Sequence, residues 1–367
     1  MDLRKNFAAT AFATVAGLWI VAGAAWGQGC IVGRQCAPGA VDGNYLMPHQ
    51  FEIGLNYRGF KANKHYNGRA RQYQREAAGN YVINRQNIWD LTGSVGLSKQ
   101  TSAYIDIPYV NSGWSIPLPI GSVSVPHGPR YQQNSTGIGD VSVGVKYWVL
   151  DTEKHMTENV ALGIGIKLPT GNANNKHDFP DINGQNLRER SVDQSIQPGD
   201  GGWGIPLSVD AFKSVKSWSF FGTWNYLISP RDTNGTPSIR ATLGLPPSAT
   251  TPSQQVNSVP DQYLLRLGTS YTFQKPGITA LLAWRREGVP AKDLIGGHNG
   301  FRRPGYSTSI EPGLSYSHNN TTYTIATPIT LTRNRVKTES DGVKSAGDST
   351  FADSQLIVNI THRFGAH

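Results

Sequence analysis

The sequence predicts an all-β fold: a transmembrane antiparallel up-and-down β-barrel of about 12 strands, with short periplasmic turns and long extracellular loops. Three observations lead to this prediction. Apolar and polar side chains alternate in many stretches of about ten residues, as they do along strands. Short and long connections alternate between these stretches. The composition combines 41 Gly, 15 Tyr and 9 Trp with only 16% charged residues, which suits strands and turns.

Residues 1–27 have the pattern of a secretory signal peptide. Arg4 and Lys5 precede an uncharged run, residues 7–26, that ends in small residues. A basic start, an apolar centre and a small-residue end are typical of a cleaved export signal. The run is long enough to span a bilayer, so a retained anchor is the alternative. The mean hydropathy of −0.37 excludes a bundle of membrane helices.

Residues 28–48 are predicted to form a periplasmic N-terminal segment or a partial plug of the barrel. Cys30 and Cys36 lie in this segment, and export to an oxidising compartment favours a disulfide between them. Free thiols and acylation of Cys30 are the alternatives, although Gly27 stands where a lipoprotein signal has an apolar residue. The haem-attachment pattern C-x-x-C-H does not occur.

The barrel itself is predicted to occupy residues 49–364, followed by an extension of three residues, 365–367. A tilted strand of about ten residues crosses a bilayer. The predicted strands carry their apolar stripes at residues 51–57, 91–97, 103–109, 141–149, 162–168, 205–211, 218–228, 263–271, 278–284, 306–316, 323–331 and 356–364. Tyr and Trp cluster near the strand ends, as an interfacial girdle requires.

The connections between these strands indicate a membrane barrel rather than a soluble sandwich or propeller. The predicted turns after every second strand are residues 98–100, 151–158, 213–217, 273–277 and 317–321. The remaining connections are long and polar: residues 61–85, 111–136, 170–204, 229–261, 287–304 and 332–351. Long loops at one end only are typical of barrels in the outer membrane of Gram-negative bacteria. Since lipid offers no hydrogen bonds to the backbone, the sheet must also close.

The polar face of the predicted strands carries charges of both signs. A lipid-facing Arg or Lys at mid-depth costs about 2–4 kcal/mol, so these side chains are predicted to point into the lumen. The candidates are Glu52, Arg58, Asp90, Asp106, Asp140, Lys146, Lys167, Asp210, Arg266, Arg285, Glu311 and Arg363. Two interpretations remain open: a salt-bridge network that fills a narrow barrel, or a ladder of charges along a solute path.

The formal net charge of +9 raises the question of an anionic partner. No basic patch interleaves with aromatic residues as in single-strand binders, so nucleic acid is not a predicted partner. The cations gather instead in two predicted loops and are expected to face outward, towards lipopolysaccharide or anionic solutes. They are Lys61, Lys64, Arg69, Arg71 and Arg75 in the first loop, and Arg188 and Arg190 in the second.

Several segments together resemble the outer-membrane proteins associated with the meta-pathway of phenol degradation. These are "TGIGDVSVGVKYWVLD", "NVALGIGIKLPTGN", "SIQPGDGGWGIPLSVD", "SAYIDIPYV" and "LIVNITHRF". The resemblance implies a barrel that passes small, often aromatic, compounds across the outer membrane. It also implies a C-terminal aromatic residue that the barrel-assembly machinery reads, and here Gly365, Ala366 and His367 follow Phe364. Four prolines interrupt predicted strands and are expected at bulges or rims: Pro108, Pro206, Pro312 and Pro328.

Other motifs carry little weight. The segment "GDGGWG", residues 199–204, matches G-x-G-x-x-G but leads into a strand instead of opening a helix. The segment "DFPDING", residues 178–184, lacks the first and last ligands of an EF-hand, so a looser external Ca²⁺ site is the remaining alternative. None of the nine histidines stands two residues before Ser, and neither G-x-S-x-G nor H-E-x-x-H occurs.

The sequence therefore predicts a non-enzymatic channel or transporter for the passive passage of small, hydrophobic or aromatic compounds, without cofactor or metal. A non-transporting surface barrel, such as a receptor, adhesin or structural protein, is the alternative. The predicted partners are outer-membrane lipid and lipopolysaccharide, the barrel-assembly machinery and a small-molecule solute.

Overall fold

A closed antiparallel barrel accounts for most of the computed structural model, which describes residues 45–119, 127–275, 277–345 and 347–365. The predicted signal peptide, Cys30, Cys36, Ala366 and His367 lie outside the described residues. Among the described residues, the helices are all too short or too polar to traverse a bilayer.

The secondary structure is almost entirely strand. In chain order the strands are β1 (Phe51–Ala62), β2 (Lys64–Asn67), β3 (Ala70–Arg71), β4 (Ile83–Gly96), β5 (Thr101–Pro117), β6 (Arg130–Ile138), β7 (Ser142–Trp148), β8 (Glu158–Lys167), β9 (Lys176–Phe179), β10 (Arg188–Ser191), β11 (Ile205–Val215), β12 (Trp218–Ile228), β13 (Thr233–Pro237), β14 (Val256–Ser258), β15 (Gln262–Phe273), β16 (Ile278–Val289), β17 (Gly305–His318), β18 (Thr321–Ala326), β19 (Ile329–Asn334), β20 (Thr338–Ser340), β21 (Val343–Ser345), β22 (Ser349–Phe351) and β23 (Leu356–Phe364). Short helices are α1 (Tyr73–Ala77), α2 (Ile239–Thr242) and two 3₁₀ turns (Gln194–Ile196 and Pro252–Gln255).

Every wall strand pairs with a neighbour on both sides. The strand order around the barrel is β1, β4, β5, β6 with β7, β8, β11, β12, β15, β16, β17, β18 with β19, and β23. β23 then pairs with β1, placing Phe51 opposite Phe364 and closing the sheet. β6 and β7 together make one wall strand, and so do β18 and β19, which confirms the predicted 12-stranded barrel.

Two of the predicted prolines lie where a wall strand is divided. Pro108 of β5 stands opposite the gap between β6 and β7, and its carbonyl accepts a hydrogen bond from Gly139 N at 2.7 Å. Pro312 of β17 stands opposite the gap between β18 and β19, where Thr327 N donates to its carbonyl at 2.9 Å. A proline offers no N–H to the ladder, so the facing strand bends at these points. Pro328 lies in the second gap, and Pro206 lies at the start of β11.

The outer surface of the barrel is apolar at mid-height. Val143, Val145, Tyr147 and Val149 are all exposed, and so are many apolar residues on other wall strands, among them Leu55, Leu91, Leu162, Leu267, Leu282 and Ile360. An exposed apolar belt around a closed sheet is what a lipid bilayer covers. The barrel is therefore an integral protein of the outer membrane, and the end with the short turns is periplasmic.

The wall is taller on one side than the sequence predicts. β5 and β6 continue in register from Tyr109 opposite Ile138 to Pro117 opposite Arg130, through much of the predicted loop 111–136. Their outward positions, such as Asn111, Gly113 and Asn134, are polar, because this part of the hairpin rises beyond the lipid. Because of this polar composition, residues 111–136 were predicted to form a loop, although much of this range is strand.

The long loops fold together above the barrel instead of extending into solvent. We call their apolar cluster the extracellular cap; its buried members are Val82, Trp114, Ile116, Leu118, Phe179, Val192, Ile196, Ile239 and Leu243. The ring of Phe179 packs against Trp114 with a centroid separation of 6.0 Å. Burial of such side chains stabilises the loops by the hydrophobic effect, as in a small domain core.

Candidate functional site in the barrel lumen

Side chains from opposite parts of the wall meet in the lumen. Arg58 on β1 and Glu287 on β16 form an ion pair of 2.9 Å, although three wall strands separate β1 from β16. Both side chains are almost completely buried. A contact between strands that are not neighbours must cross the interior, so these two residues mark the inner face of the wall.

The Arg58–Glu287 pair belongs to a larger group, which we call the central network: Arg58, Arg266, Arg285, Glu287, Glu311 and Gln355. Arg285 bridges the two carboxylates, at 2.9 Å from Glu287 and 3.3 Å from Glu311. Arg266 pairs with Glu311 at 2.6 Å and stacks on the Phe221 ring, 4.7 Å from its centroid. Gln355 Nε2 donates to Glu287 at 2.5 Å.

Glu287 is the charged residue of this network that was not among the predicted lumen residues. The predicted strand ended near Arg285, and residue 287 was assigned to a long loop. β16 continues to Val289, so Glu287 takes the next inward position after Arg285. Extending the alternation by one inward position would have identified it.

A second group of charges lies on the opposite side of the lumen. Lys167 Nζ bonds to Asp140 at 3.1 Å, to Asp200 at 2.5 Å and to the Gly202 carbonyl at 2.7 Å. Asp140 also accepts the Asp200 and Gly171 backbone N–H groups, each at 3.0 Å. These bonds attach the loop between β8 and β11 to the wall, and Asp200 was not a predicted site residue.

The remaining candidates are distributed along the lumen. Lys146 and Asp210 pair at 2.8 Å, and Glu52 and Arg363 pair at 3.1 Å near the periplasmic end. Asp90 is buried on the inward side of β4. Asp106 is on the inward side of β5, and its Oδ1 atom is buried with no hydrogen-bond partner in the described part of the chain. The lumen thus holds the predicted charges mostly as ion pairs.

A recess lies in the lumen beside the Lys167 group of charges. Its polar lining comes from the inward faces of β5, β7, β8, β12 and β15 and from the loop before β11, and its apolar lining is mainly from β5, β12 and β15. The lining residues are Asp106, Pro108, Asp140, Ser142, Lys167, Asp200, Asn225, Leu227, Gln262, Tyr263 and Leu264. Ligand sites commonly combine an apolar surface with a few polar groups in this way.

The loop between β8 and β11 enters the lumen from the extracellular side. Ser195, in the 3₁₀ turn of this loop, accepts a hydrogen bond on its carbonyl from Gln86 Nε2 at 2.7 Å. Asp193 N donates to Gln133 on β6 at 2.9 Å. Arg303 also holds Asp193 in place, with two bonds of 3.0 and 2.6 Å. This inward loop narrows the extracellular half of the lumen.

The periplasmic end of the lumen is occupied by the segment that precedes β1. Tyr45 packs edge-on against Trp148, with ring centroids 5.0 Å apart, and lies 6.3 Å from the Phe212 ring. Its hydroxyl donates to the His155 carbonyl and accepts from Asn159 Nδ2 at 3.1 Å. Tyr45 therefore contacts interior side chains at the periplasmic end of the lumen.

Two buried carboxylates outside the membrane region, Asp193 and Asp348, have lowered pKa values. Burial alone would raise the pKa of Asp193, but the Arg303 guanidinium and the Ser195 bonds outweigh it and lower that pKa. Burial would likewise raise the pKa of Asp348, yet His65 and Arg75 hold it well below its usual range. Both carboxylates are therefore ionised at neutral pH and bind the loops together.

His65 is held as a neutral ring in the same loop region. Burial lowers its pKa from 6.5, against the opposing effect of Asp348. Its Nε2 accepts the Val82 N–H at 2.9 Å, and its Nδ1 lies 3.0 Å from Asp348 Oδ2. This pattern requires the proton on Nδ1, because Nε2 must present a lone pair.

Most of the predicted basic loop residues are engaged within the protein. Lys64 pairs with Asp353, Arg71 with Glu76 and Arg75 with Asp348. Arg190 donates to the backbone carbonyls of three residues, namely Phe179, Thr242 and Asn186. The expectation that these loop cations all face an external anion is therefore wrong for these four, because acidic and carbonyl oxygens of the folded loops bind them.

The calcium-like segment is closed by its own hydrogen bonds. Asp181 accepts from Asn183 N at 2.9 Å, Gln185 N at 3.1 Å and Asn186 Nδ2 at 2.5 Å. The carboxylate therefore stabilises a turn. Within the described ranges, no group of three or more His, Cys, Asp or Glu side chains is arranged to hold a metal ion.

Comparison with solved structures shows the same barrel fold. An outer membrane channel from Pseudomonas putida F1 aligns with a TM-score of 0.56 and 12% identity, over 90% of this chain and 100% of that one. Weaker alignments include the translocator domain of the autotransporter NalP from Neisseria meningitidis, with a TM-score of 0.42, 11% identity and coverage of 88% and 90%. The Ralstonia pickettii toluene transporter TbuX gives a TM-score of 0.40 with 10% identity and coverage of 94% and 96%.

A search of curated proteins gave no match to the sequence. The sequence does match a family model over residues 100–327, well over half of the chain. This range runs from β5 to the gap after β18 and includes the divided strand β6–β7, the inward loop and all the residues that line the recess. The chain belongs to the family described as "Putative MetA-pathway of phenol degradation".

Proposed function

We propose that this protein is an outer-membrane channel for the passive passage of small hydrophobic or aromatic compounds. The observation that carries the proposal is the recess inside the barrel, which is lined by apolar side chains and a few polar atoms. A lumen built only to support the wall has no need of such a space. The family description and the similarity to the channel from Pseudomonas putida F1 also support a channel function.

We propose that the charged side chains fix the walls of the solute path. Each of the two carboxylates of the central network binds two guanidinium groups, so neither acid is left unpaired in the lumen. Paired charges present a polar wall of low net charge, which neither strongly attracts nor strongly repels a small solute. The proposal includes no catalytic step and no cofactor.

We propose that the segment 28–48 regulates the periplasmic opening as a partial plug, with Cys30 and Cys36 joined. Tyr45 and its aromatic contacts support this position for the end of the segment. Deletion of residues 28–48 should raise the conductance of the protein in planar lipid bilayers. Unchanged conductance would contradict the plug, and the mass of a non-reduced peptide containing both cysteines tests the disulfide.

A non-transporting surface barrel is the second candidate. The observation that favours it is the extracellular cap, since a packed cap gives loops a fixed surface for recognition. The two candidates differ in one measurable property. A channel conducts ions or solutes when reconstituted, and a receptor barrel of the same fold does not.

We further propose that lipopolysaccharide binds the outer wall beside the tall β5–β6 hairpin. Lys61 stands directly opposite Arg85 in the register of β1 and β4, and both Arg85 and Arg130 repel the Lys61 ammonium. Like charges facing each other are unfavourable unless an anion joins them. The apolar belt lies below these cations on the same strands, as a phosphorylated sugar carrying acyl chains requires. Replacement of all three by Gln should reduce co-purified lipopolysaccharide, and equal amounts in both proteins would contradict this site.

The proposed contact with the barrel-assembly machinery rests on the C-terminal strand. Phe364 ends β23 with an exposed ring. Phe364→Ala should slow insertion into the outer membrane in cells, measured as the fraction of folded protein on gels, while an Ile360→Ala control on the same outward face should insert normally.

A further inference from the structure

The recess contains buried acceptor atoms that the fold itself does not use. Asp106 Oδ1 and Gln262 Oε1 are both buried, and neither has a hydrogen-bond partner among the described residues. Both residues line the recess. They come from β5 and β15, on separate parts of the wall, so no single turn or strand end explains the pair.

The other main polar groups of the recess are already committed. Lys167 donates to two carboxylates and a carbonyl, and Asp140 and Asp200 accept those bonds. Their role is to fix the inward loop to the wall. Asp106 differs from them because it is a carboxylate in the same space without a cation at its Oδ1.

The carboxylate oxygen of Asp106 and the amide oxygen of Gln262 are hydrogen-bond acceptors, and a buried acceptor left unmatched lowers stability. The same recess offers a carbon surface from Pro108, Leu227 and Leu264. A molecule that matches both features has an apolar body and a hydrogen-bond donor.

We infer that the recess is a binding site for small aromatic molecules that carry a hydroxyl or amine group, with Asp106 as the acceptor of their hydrogen bond. This inference rests on the proposed channel function and adds chemical selectivity to it. The aromatic ring lies against the apolar side chains while its donor faces Asp106. A hydrocarbon of the same shape fills the apolar part but leaves Asp106 unmatched, and is therefore held more weakly.

The test compares 4-fluorobenzyl alcohol with 4-fluorotoluene, which differ in one hydroxyl. Fluorine NMR titrations use the full mature protein in detergent micelles, with empty micelles of the same detergent subtracted. The alcohol is expected to bind about tenfold more tightly, the ratio that one buried hydrogen bond supports. Asp106→Leu is expected to abolish this ratio while 4-fluorotoluene still binds.

Asp210→Asn is the matched control, because it also removes one carboxylate from the lumen. Asp210 pairs with Lys146 and does not line the recess. It should keep the preference of the wild-type protein. Heat-modified gel migration establishes that each variant is a folded barrel before titration. A preference that persists in Asp106→Leu, or equal binding of the two probes to the wild-type protein, would overturn the inference.

These failures are separable from a failure of the proposed channel. Equal binding of both probes leaves passage of aromatic compounds intact and removes only the donor selectivity. The channel proposal is judged by solute flux, and it fails when no solute crosses, whatever the two probes do in micelles.

Discussion

Glu287 receives hydrogen bonds from Arg58, Arg285 and Gln355 at a point in the barrel that solvent does not reach. Two carboxylates serve three guanidinium groups in the central network, so loss of one acid leaves buried positive charge uncompensated. Removing one partner of a buried ion pair costs about 3–5 kcal/mol. Glu287→Gln should therefore lower the temperature at which the barrel changes its gel migration.

Glu158 supplies the control for that substitution. It pairs with Lys213 at 2.8 Å at the periplasmic end, where both side chains are well exposed. Exposed pairs contribute about 0–1 kcal/mol, so Glu158→Gln should leave the transition within a degree or two. Equal effects of the two substitutions would show that the central network does not stabilise the barrel.

His65 predicts a pH dependence of the loop structure. The pKa of His65 in the folded protein lies below 6.5, its ordinary value in the unfolded chain. At a pH between the folded and the unfolded pKa, the unfolded segment binds more protons than the folded one. The contribution of the neutral His65 ring to stability is therefore fully present above pH 6.5 and is lost as the pH falls through this window. Protonation removes the acceptor of the Val82 N–H, so the protection of that amide against deuterium exchange, relative to its intrinsic rate at each pH, should fall between pH 7 and pH 5.

The variant His65→Gln should remove most of this pH dependence, because no titrating group then faces Val82. His177→Gln is the control, since His177 bonds only to the neighbouring Asp178 carbonyl in an exposed strand. Asp348 keeps its charge over the same range, because its pKa is lowered. A Val82 protection factor that stays constant across this range in the wild-type protein would contradict the assignment.

At the level of elements, the segment before β1 and the inward loop lie at the two ends of the lumen. Tyr45→Ala removes the ring that fills the space between Trp148 and Phe212. Loss of a buried aromatic ring costs about 3–5 kcal/mol, which is enough to release the segment. Single-channel recordings should then show larger or more frequent openings, while Tyr73→Ala, in the exposed helix α1, should behave as wild type.

The inward loop depends on the Arg303–Asp193 pair. Asp193 is fully buried, and Arg303 is its only ion-pair partner among the described residues. Arg303→Gln should loosen the loop and increase its cleavage by proteases in folded protein. Glu189→Gln in the same loop breaks the exposed pair with Lys176 and should leave cleavage unchanged. Equal cleavage of both variants would contradict a role for the pair in holding the loop.

The outward side of the strands could be predicted well from the sequence, and the reason is the lipid environment. Residues such as Val143 and Val145 must be apolar at every second position, so their alternation is regular. The same pattern identified the inward charges. Above the lipid this constraint ends, and the hairpin from Asn111 onward became indistinguishable from a polar loop.

The contacts between loops could not be predicted in the same way. Arg190 and Asp193 are near each other in sequence, but their partners come from distant loops. The alternation of apolar and polar residues along the sequence contains no information about such distant pairs. The same limit applies to the recess, since Asp106 and Gln262 are brought together only by closure of the whole sheet.

The whole molecule is a closed barrel. Most of its lumen charges form ion pairs, and a recess lies among the inward side chains. The segment before β1 and the inward loop lie at the two ends of the lumen. A folded barrel of this kind should resist unfolding by detergent until it is heated. Boiled and unboiled samples should therefore migrate differently on gels, and identical migration would contradict the closed sheet.

The central claim is that solutes pass through this lumen, and liposome flux tests it most directly. Benzoate and 4-hydroxybenzoate are suitable solutes, since their charge slows passage through bare lipid. We expect both to equilibrate faster into liposomes containing the protein than into empty liposomes, and faster still with the variant lacking residues 28–48. Flux equal to that of empty liposomes for both proteins would contradict the channel and favour a surface barrel that does not transport.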